Sequence, residues 1–310
     1  MIDFCGLRLA HPIINGSGTF DAIAARRAFG DELLARFPFS AFVSKTITLA
    51  PREGNPPPRL WEAQAGMINS IGLPNRGLHG YLEHDLPHLA QLPVALITNV
   101  MGSSEAEVVQ LVEAVDARPE IAAIELNVSC PNVKTGLDIG ADPASLEALV
   151  RAVRPLTRKP LIVKLTPNTA DVAVVAAAAE AAGADAVSLI NTLRAMALDP
   201  RAGAPWLGGQ TGGMSGPAVR SVALAQVFAV ARRVGLPVVG MGGVAHGTHA
   251  NDLISVGATL VAVGTESFRD PCAGARIAAE LKSLQIAGSP STSMNVSEPQ
   301  PEVEVNCGDS

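Results

Sequence analysis

Apolar residues recur along the chain in eight short runs, each bounded by glycine, proline or polar residues: PIIN (12–15), AFVSK (41–45), VALITN (94–99), AAIELN (122–127), LIVKL (161–165), AVSLIN (186–191), PVVGM (237–241) and LVAVG (260–264). Runs of this kind predict strands. They show little alternation between apolar and polar positions, which suits a parallel sheet whose outer face is covered by helices. Helical patterns fall between them. One follows Ser104, with Glu107 three residues on, the spacing of a capping box. Others cover 143–154, 217–234 and 247–256. The Ala-rich DVAVVAAAAEAAG begins near Thr169 and is stopped by Gly183. Eight strands alternating with helices predict an α/β fold, a (β/α)8 TIM barrel. A doubly wound open sheet satisfies the same count. Residues 48–92 are too long for a plain loop and predict an inserted segment above the barrel. From 287 the chain turns Ser-, Pro- and Glu-rich. One domain over 1–286 and a disordered acidic tail over 287–310 are expected.

Composition agrees with that division. Of 310 residues, 48% are hydrophobic and 17% charged, enough for a large core. Of the net charge of −6, −4 sits in the last 25 residues and −2 on the rest, with no basic run to hold nucleic acid. The four cysteines, at 5, 130, 272 and 307, have no CxxC spacing. They predict neither a disulfide framework nor a zinc or iron–sulfur site on this chain. Its start, MIDFCGLRLAHP, lacks the basic and apolar regions of a signal peptide, and no uncharged apolar run reaches a membrane span. A cytoplasmic protein with no membrane partner is expected.

Candidate chemistry lies where the strands end. Ser17, Lys45, Asn99, Asn127, Lys164, Asn191, Gly242 and Gly264 stand at or just past the C-terminal ends of the eight runs. Barrel enzymes build their sites there. A strand has to end in something polar, which accounts for one or two of these residues. Two lysines and three asparagines predict one shared ligand site, since Lys is rarely buried without a partner. GMGGV (240–244) and VGT (263–265) follow the last two strands, where glycine lets backbone N–H groups approach a phosphate. NGSGTFD (15–21) comes near a dinucleotide fingerprint, but Asp21 stands where the third glycine belongs. Cys130 lies three residues past Asn127 in a polar loop, and its thiol can serve as base or nucleophile near neutral pH. Cys5 and Cys272 are read as small buried hydrophobes. His246 and His249 have the spacing of a metal pair but no carboxylate close in sequence, so a solvated helix start is favoured and no metal is expected.

The stretches ELNVSCPNVK (125–134), SKTIT (44–48), NSIGLPN (69–75), VKLTPN (163–168), NTLRAMALD (191–199), GGMSGPAVR (212–220) and GMGGV together resemble the class 1 dihydroorotate dehydrogenases of pyrimidine biosynthesis, from about residue 2 to 285. NVSCPNVK and NTLRAM are most similar to class 1B. That is the catalytic subunit which works with an FAD and iron–sulfur partner to pass electrons to NAD. The resemblance implies FMN at the top of the barrel and oxidation of dihydroorotate to orotate. It implies Cys130 as the base that takes the C5 proton while a hydride leaves C6 for flavin N5. It implies Lys45, Asn69, Ser70, Ile71, Gly72, Leu73, Asn127, Asn132, Asn191 and Thr192 around the substrate. Around FMN it implies Ser17, Lys45, Thr46, Asn99, Asn127, Lys164 and Ile190, with Gly216, Gly242, Gly243, Gly264 and Thr265 at its phosphate. A homodimer within a heterotetramer is the implied assembly, the FAD and iron–sulfur cluster residing on the partner subunit.

The chain departs from the family pattern at GLDIG (136–140), where a more Gly-rich stretch is expected. The dihydropyrimidine dehydrogenases share the LTPN and SCP elements, but a His is expected there where this chain has Asn132. Class 1A, a self-sufficient homodimer using fumarate, is disfavoured by NVK. A flavin-free scaffold that kept only the barrel would have lost Cys130 or Lys164, and both are present.

Overall fold

In the computed structural model the described residues are 1–128 and 139–287. Eight parallel strands form the barrel. They are β1 (Ile13–Asn15), β2 (Ala41–Val43), β3 (Ala95–Val100), β4 (Ala123–Asn127), β5 (Leu161–Lys164), β6 (Ala186–Leu189), β7 (Val238–Met241) and β8 (Leu260–Val263). The ladder runs from β2 through β3, β4, β5, β6, β7 and β8 to β1. Between β1 and β2 a side chain closes the ring. Asn15 Nδ2 donates to Val43 O at 2.8 Å and its Oδ1 accepts from Val43 N at 2.8 Å, beside a Ser40 N–H bond to Ile13 O. This is the barrel that the eight runs predicted, and the open-sheet alternative falls with it.

Each strand carries apolar residues on both faces because both faces are buried. Alternate positions such as Leu96, Ile124, Leu161 and Val187 pack outward against the helices. Ile97, Ala123, Ile162 and Ala186 point inward, where Phe4 and Leu9 join them. Those two belong to a hairpin, Ile2–Phe4 paired with Leu7–Leu9, that plugs the N-terminal end of the barrel. Cys5 sits at its turn with positive φ, half-buried, its thiol donating to Asp185 O at 3.4 Å. Cys272 departs from its reading as a buried hydrophobe. It is exposed, because it occupies the turn before helix Ala273–Ala287, and the helix turns the neighbouring Ala273 inward instead.

The helices begin where their capping residues dictate. Asp21 Oδ1 accepts from Ile23 and Ala24 N–H, and Asp171 does the same for Ala173 and Val174. Each such cap is worth about 1 kcal/mol. The Ala-rich helix therefore starts at Val172, two residues after Asn168-Thr169-Ala170 has turned. The Ser104 cap forms as predicted, its Oγ accepting from Glu107 N, while Glu107 reaches back to the N–H of Ser103.

Above the barrel lies a four-stranded antiparallel sheet ordered Leu193–Ala195, Gly212–Ser215, Gly66–Asn69, Leu60–Ala63. The insertion supplies two of its strands and the segment after β6 supplies the other two. Ile68, Ala197 and Leu207, with Trp61 against Trp206, form its own small core. The expected tail lies outside the described residues from 288 onward.

Candidate active site

A cavity of about 770 Å³ opens between the C-terminal ends of the barrel strands and the four-stranded sheet. That is room for a cofactor and a small substrate together. Its floor follows from the period of two along each strand. Two residues beyond the apolar tier of Ile97, Ala123, Ile162 and Ala186, the inward positions are Asn99, Glu125, Lys164 and Ser188. An apolar barrel interior thus gives way to a polar tier in one step.

Lys164 lies in that tier and lines the cavity, buried at 6% exposure. Its amine has no hydrogen-bond or ion-pair partner among the described residues. A buried amine left without a partner is costly unless a ligand supplies the acceptor. Lys45 also lines the cavity and is exposed. Enough protein surrounds its amine for desolvation to pull it below the usual lysine range. The Asp21 carboxylate opposes that shift, Arg59 adds to it and Asp85 opposes it. Three strand ends are tied by a chain of polar contacts. Ser17 Oγ donates to Ser44 O at 2.8 Å and lies 3.4 Å from Thr46 Oγ1, which accepts from Asn127 Nδ2 at 3.3 Å.

Glycines gather at one end of the cavity. Gly216 and Gly243 have φ of +88° and +68°. A Cβ on Gly243 would stand 2.7 Å from Arg220 Cβ and 3.0 Å from Gly216 O, and one on Gly216 would stand 3.0 Å from Gly66 Cα. Only glycine permits that conformation and approach. The N–H groups of Gly243, Gly264 and Thr265 donate to no described acceptor, and all three residues line the cavity. Thr265 Oγ1 meets Ser215 Oγ at 2.9 Å beside them. Such a group of free N–H donors is built for an anion.

Of the residues singled out from sequence, Ser17, Lys45, Thr46, Asn69, Ile71, Gly72, Leu73, Asn127, Lys164, Ile190, Asn191, Thr192, Gly216, Gly242, Gly243, Gly264 and Thr265 line this one cavity. Ser70 does not. It is fully buried and its Oγ accepts from Asn55 Nδ2, bracing the insertion. Asn99 is also fully buried and does not line the cavity; its Nδ2 donates to Glu125 and its Oδ1 has no partner among the described residues. Cys130 and Asn132 lie outside the described residues. His246 and His249 stack edge to face at 5.1 Å at the start of helix Gly247–Ser255, His249 Nδ1 accepting from Ala245 N. Sequence reasoning passed over Gly16, Gly18 and Thr19, which line the cavity within NGSGTFD. It also passed over the Leu60–Met67 hairpin and the Phe268–Arg269 edge. The glycine pair around Ser17 was the signal for the first of these.

The fold and site define an α/β-barrel protein with a deep site at the strand C-termini, lined by N–H donors at its glycine end and by a buried lysine at its floor. The chain belongs to the dihydroorotate dehydrogenase family, whose profile matches residues 1–284. It is 43% identical over 285 residues to the catalytic subunit of dihydroorotate dehydrogenase B (NAD(+)) of Geobacter metallireducens, covering 91% of each chain. It is 45% identical over 285 residues to the subunit of the same name from Desulforudis audaxviator, again 91% of each. With that of Bacillus pumilus it shares 42% over 290 residues, 92% of this chain and 91% of the relative. Enzymes of this family bind FMN.

Proposed function

We propose that this chain is an FMN-dependent dihydroorotate dehydrogenase of pyrimidine biosynthesis, the catalytic subunit of an NAD-linked heteromer. The observation that carries the reading is the one cavity lined by described residues of the matched motifs, with the Lys164 amine at its floor and N–H groups at its glycine end that have no partner among the described residues. These residues fit FMN. Gly216, Gly242, Gly243, Gly264 and Thr265 would hold its phosphate, with Ser17, Thr46, Asn127, Lys164 and Ile190 along the rest and Asn99 beneath. When bound, FMN supplies the acceptor for the hydride that leaves C6 of dihydroorotate.

The chain's own residues do the remainder. Lys164 holds positive charge where negative charge develops on reduction. Asn69, Ile71, Gly72, Leu73, Asn127, Asn132, Asn191 and Thr192 would bind the pyrimidine ring and carboxylate, with Ser70 holding the loop behind them. Lys45 reaches both substrate and cofactor sides. Cys130 would take the C5 proton, since a thiolate can act as a base. Asn69 Nδ2 donates to Gly213 O at 3.2 Å, which ties that side chain to the neighbouring strand.

The partner subunit would carry the FAD and iron–sulfur cluster, because this chain has neither a cysteine cluster nor a nicotinamide fingerprint. A homodimer within a heterotetramer is the assembly we propose. Among the described residues no helix is long and apolar enough to cross a membrane, which accords with a cytoplasmic site of action. Residues 1–286 would be the catalytic domain.

The test is an anaerobic absorbance spectrum before and after dihydroorotate. Bleaching of a flavin band is the expected result. Bleaching only by a reduced pyrimidine lacking the carboxylate would shift the reading to dihydropyrimidine chemistry. A chain that takes up no flavin even on reconstitution would overturn it.

A further inference from the structure

Glu125 is a carboxylate inside a barrel, at 4% exposure, on an inward position of β4. Burying a charge there is costly unless hydrogen bonds hold it. Two do. Its Oε2 accepts from Asn99 Nδ2 at 2.6 Å and its Oε1 accepts from Ser188 Oγ at 2.7 Å. These are short, charge-assisted contacts. Both Glu125 oxygens accept in these contacts, so the contact selects which end of the Asn99 amide faces it. The NH2 group must turn to Glu125, and the carbonyl Oδ1 must turn away. That Oδ1 is buried and has no partner among the described residues. The Asn99 backbone is fixed as well, its N–H donating to Ser44 Oγ and its carbonyl accepting from Ile47 N. The amide is therefore a fixed acceptor in the same inward tier as Lys164, which lines the cavity.

We infer that Glu125 is a positioning residue, which fixes the Asn99 amide so that it offers a carbonyl, not an NH2 group, to a donor N–H on the cofactor. The inference rests on the flavin reading above and deepens it. It explains why a carboxylate, and not a carboxamide of the same shape, occupies this tier. A glutamine there could donate or accept, and Asn99 would lose its single orientation.

The test compares Glu125→Gln, Asn99→Ala and the double variant in full-length protein, by FMN dissociation constant and by midpoint potential of the bound flavin. Glu125→Gln is expected to weaken FMN binding about tenfold, the size of one misdirected buried hydrogen bond. It should also raise the midpoint potential, since a negative charge near the cofactor is removed. In the Asn99→Ala background the same change should cost little further affinity, because it acts through Asn99. Ser188→Ala, which removes the other hydrogen bond to Glu125 but leaves the Asn99 contact in place, should weaken FMN binding clearly less than Asn99→Ala does. It serves as the folded control if Glu125→Gln gives no soluble protein: a loss as large as that of Asn99→Ala would mean the tier is merely structural and would overturn the inference. Additive losses in the double variant, or an unmoved potential, would overturn it too while the flavin reading stands. Wild-type protein that neither takes up FMN nor is bleached by dihydroorotate would sink both.

Discussion

The two ends of the barrel are built from the same eight strands and are opposites. At the N-terminal end the hairpin drives Phe4 and Leu9 into the ring, and the tier they meet is Ile97, Ala123, Ile162 and Ala186. Two residues further along the same strands the inward positions are Asn99, Glu125, Lys164 and Ser188, and above them the chain leaves a cavity. One end is sealed by burial, which needs only apolar shape. The other keeps polar groups whose partners are incomplete, which needs a ligand. The lesson is that stability and chemistry are segregated by position along each strand, so substitutions at the two ends should fail in different ways.

The sharpest break is expected at the open end. Cys130→Ala should slow flavin reduction by dihydroorotate about a thousandfold, the scale of a lost general base, while FMN and orotate still bind. Stopped-flow bleaching measures it, and an unchanged rate would remove Cys130 from the mechanism. The sealed end should respond in stability alone. Phe4 is wholly buried, and Phe4→Ala should cost about 3 kcal/mol of unfolding free energy. Its folded fraction should reduce flavin at the wild-type rate; a slowed rate would show that the ends are coupled. Lys164→Ala, between these extremes, should weaken FMN binding by about tenfold or more, the cost of losing one charged donor. Full flavin occupancy at nanomolar protein would contradict the role given to Lys164.

Much of this division was legible in the chain. The eight strands announced themselves because strands buried on both faces are unbroken apolar runs, and their polar ends fell where a barrel places its site. The four-stranded sheet was not legible. Its strands are three or four residues long, and Gly66–Asn69 pairs with Gly212–Ser215 about 145 residues away. Local periodicity carries no trace of such a pairing. Glu125 was visible in ELN yet passed unremarked, since its meaning depends on Asn99 and Ser188 on two other strands. Cys272 was misjudged because the apolar character of a free thiol does not say which side of a helix start it occupies.

The smallest effect separates the ends through their cysteines. Cys5, at the sealed end, has its thiol pushed up to about 11, first by burial, then by the Asp185 and Asp3 carboxylates. At pH 8 only about one such thiol in a thousand is ionised, so alkylation should pass it by. Cys272 is exposed and should be labelled without loss of activity, whereas label on Cys130 should abolish turnover. Peptide mapping against residual activity reads all three. The same shift has a stability consequence. A group whose pKa is higher folded than unfolded holds its stabilising contribution below the unfolded value and loses it as pH climbs through the folded one. For Cys5 that window runs from the ordinary 9.0 to about 11. Denaturant unfolding should show wild type weakening across that range more steeply than Cys5→Ala. Equal slopes, or prompt labelling of Cys5 at pH 8, would mean that the hairpin opens readily and that the sealed end is less closed than its packing implies.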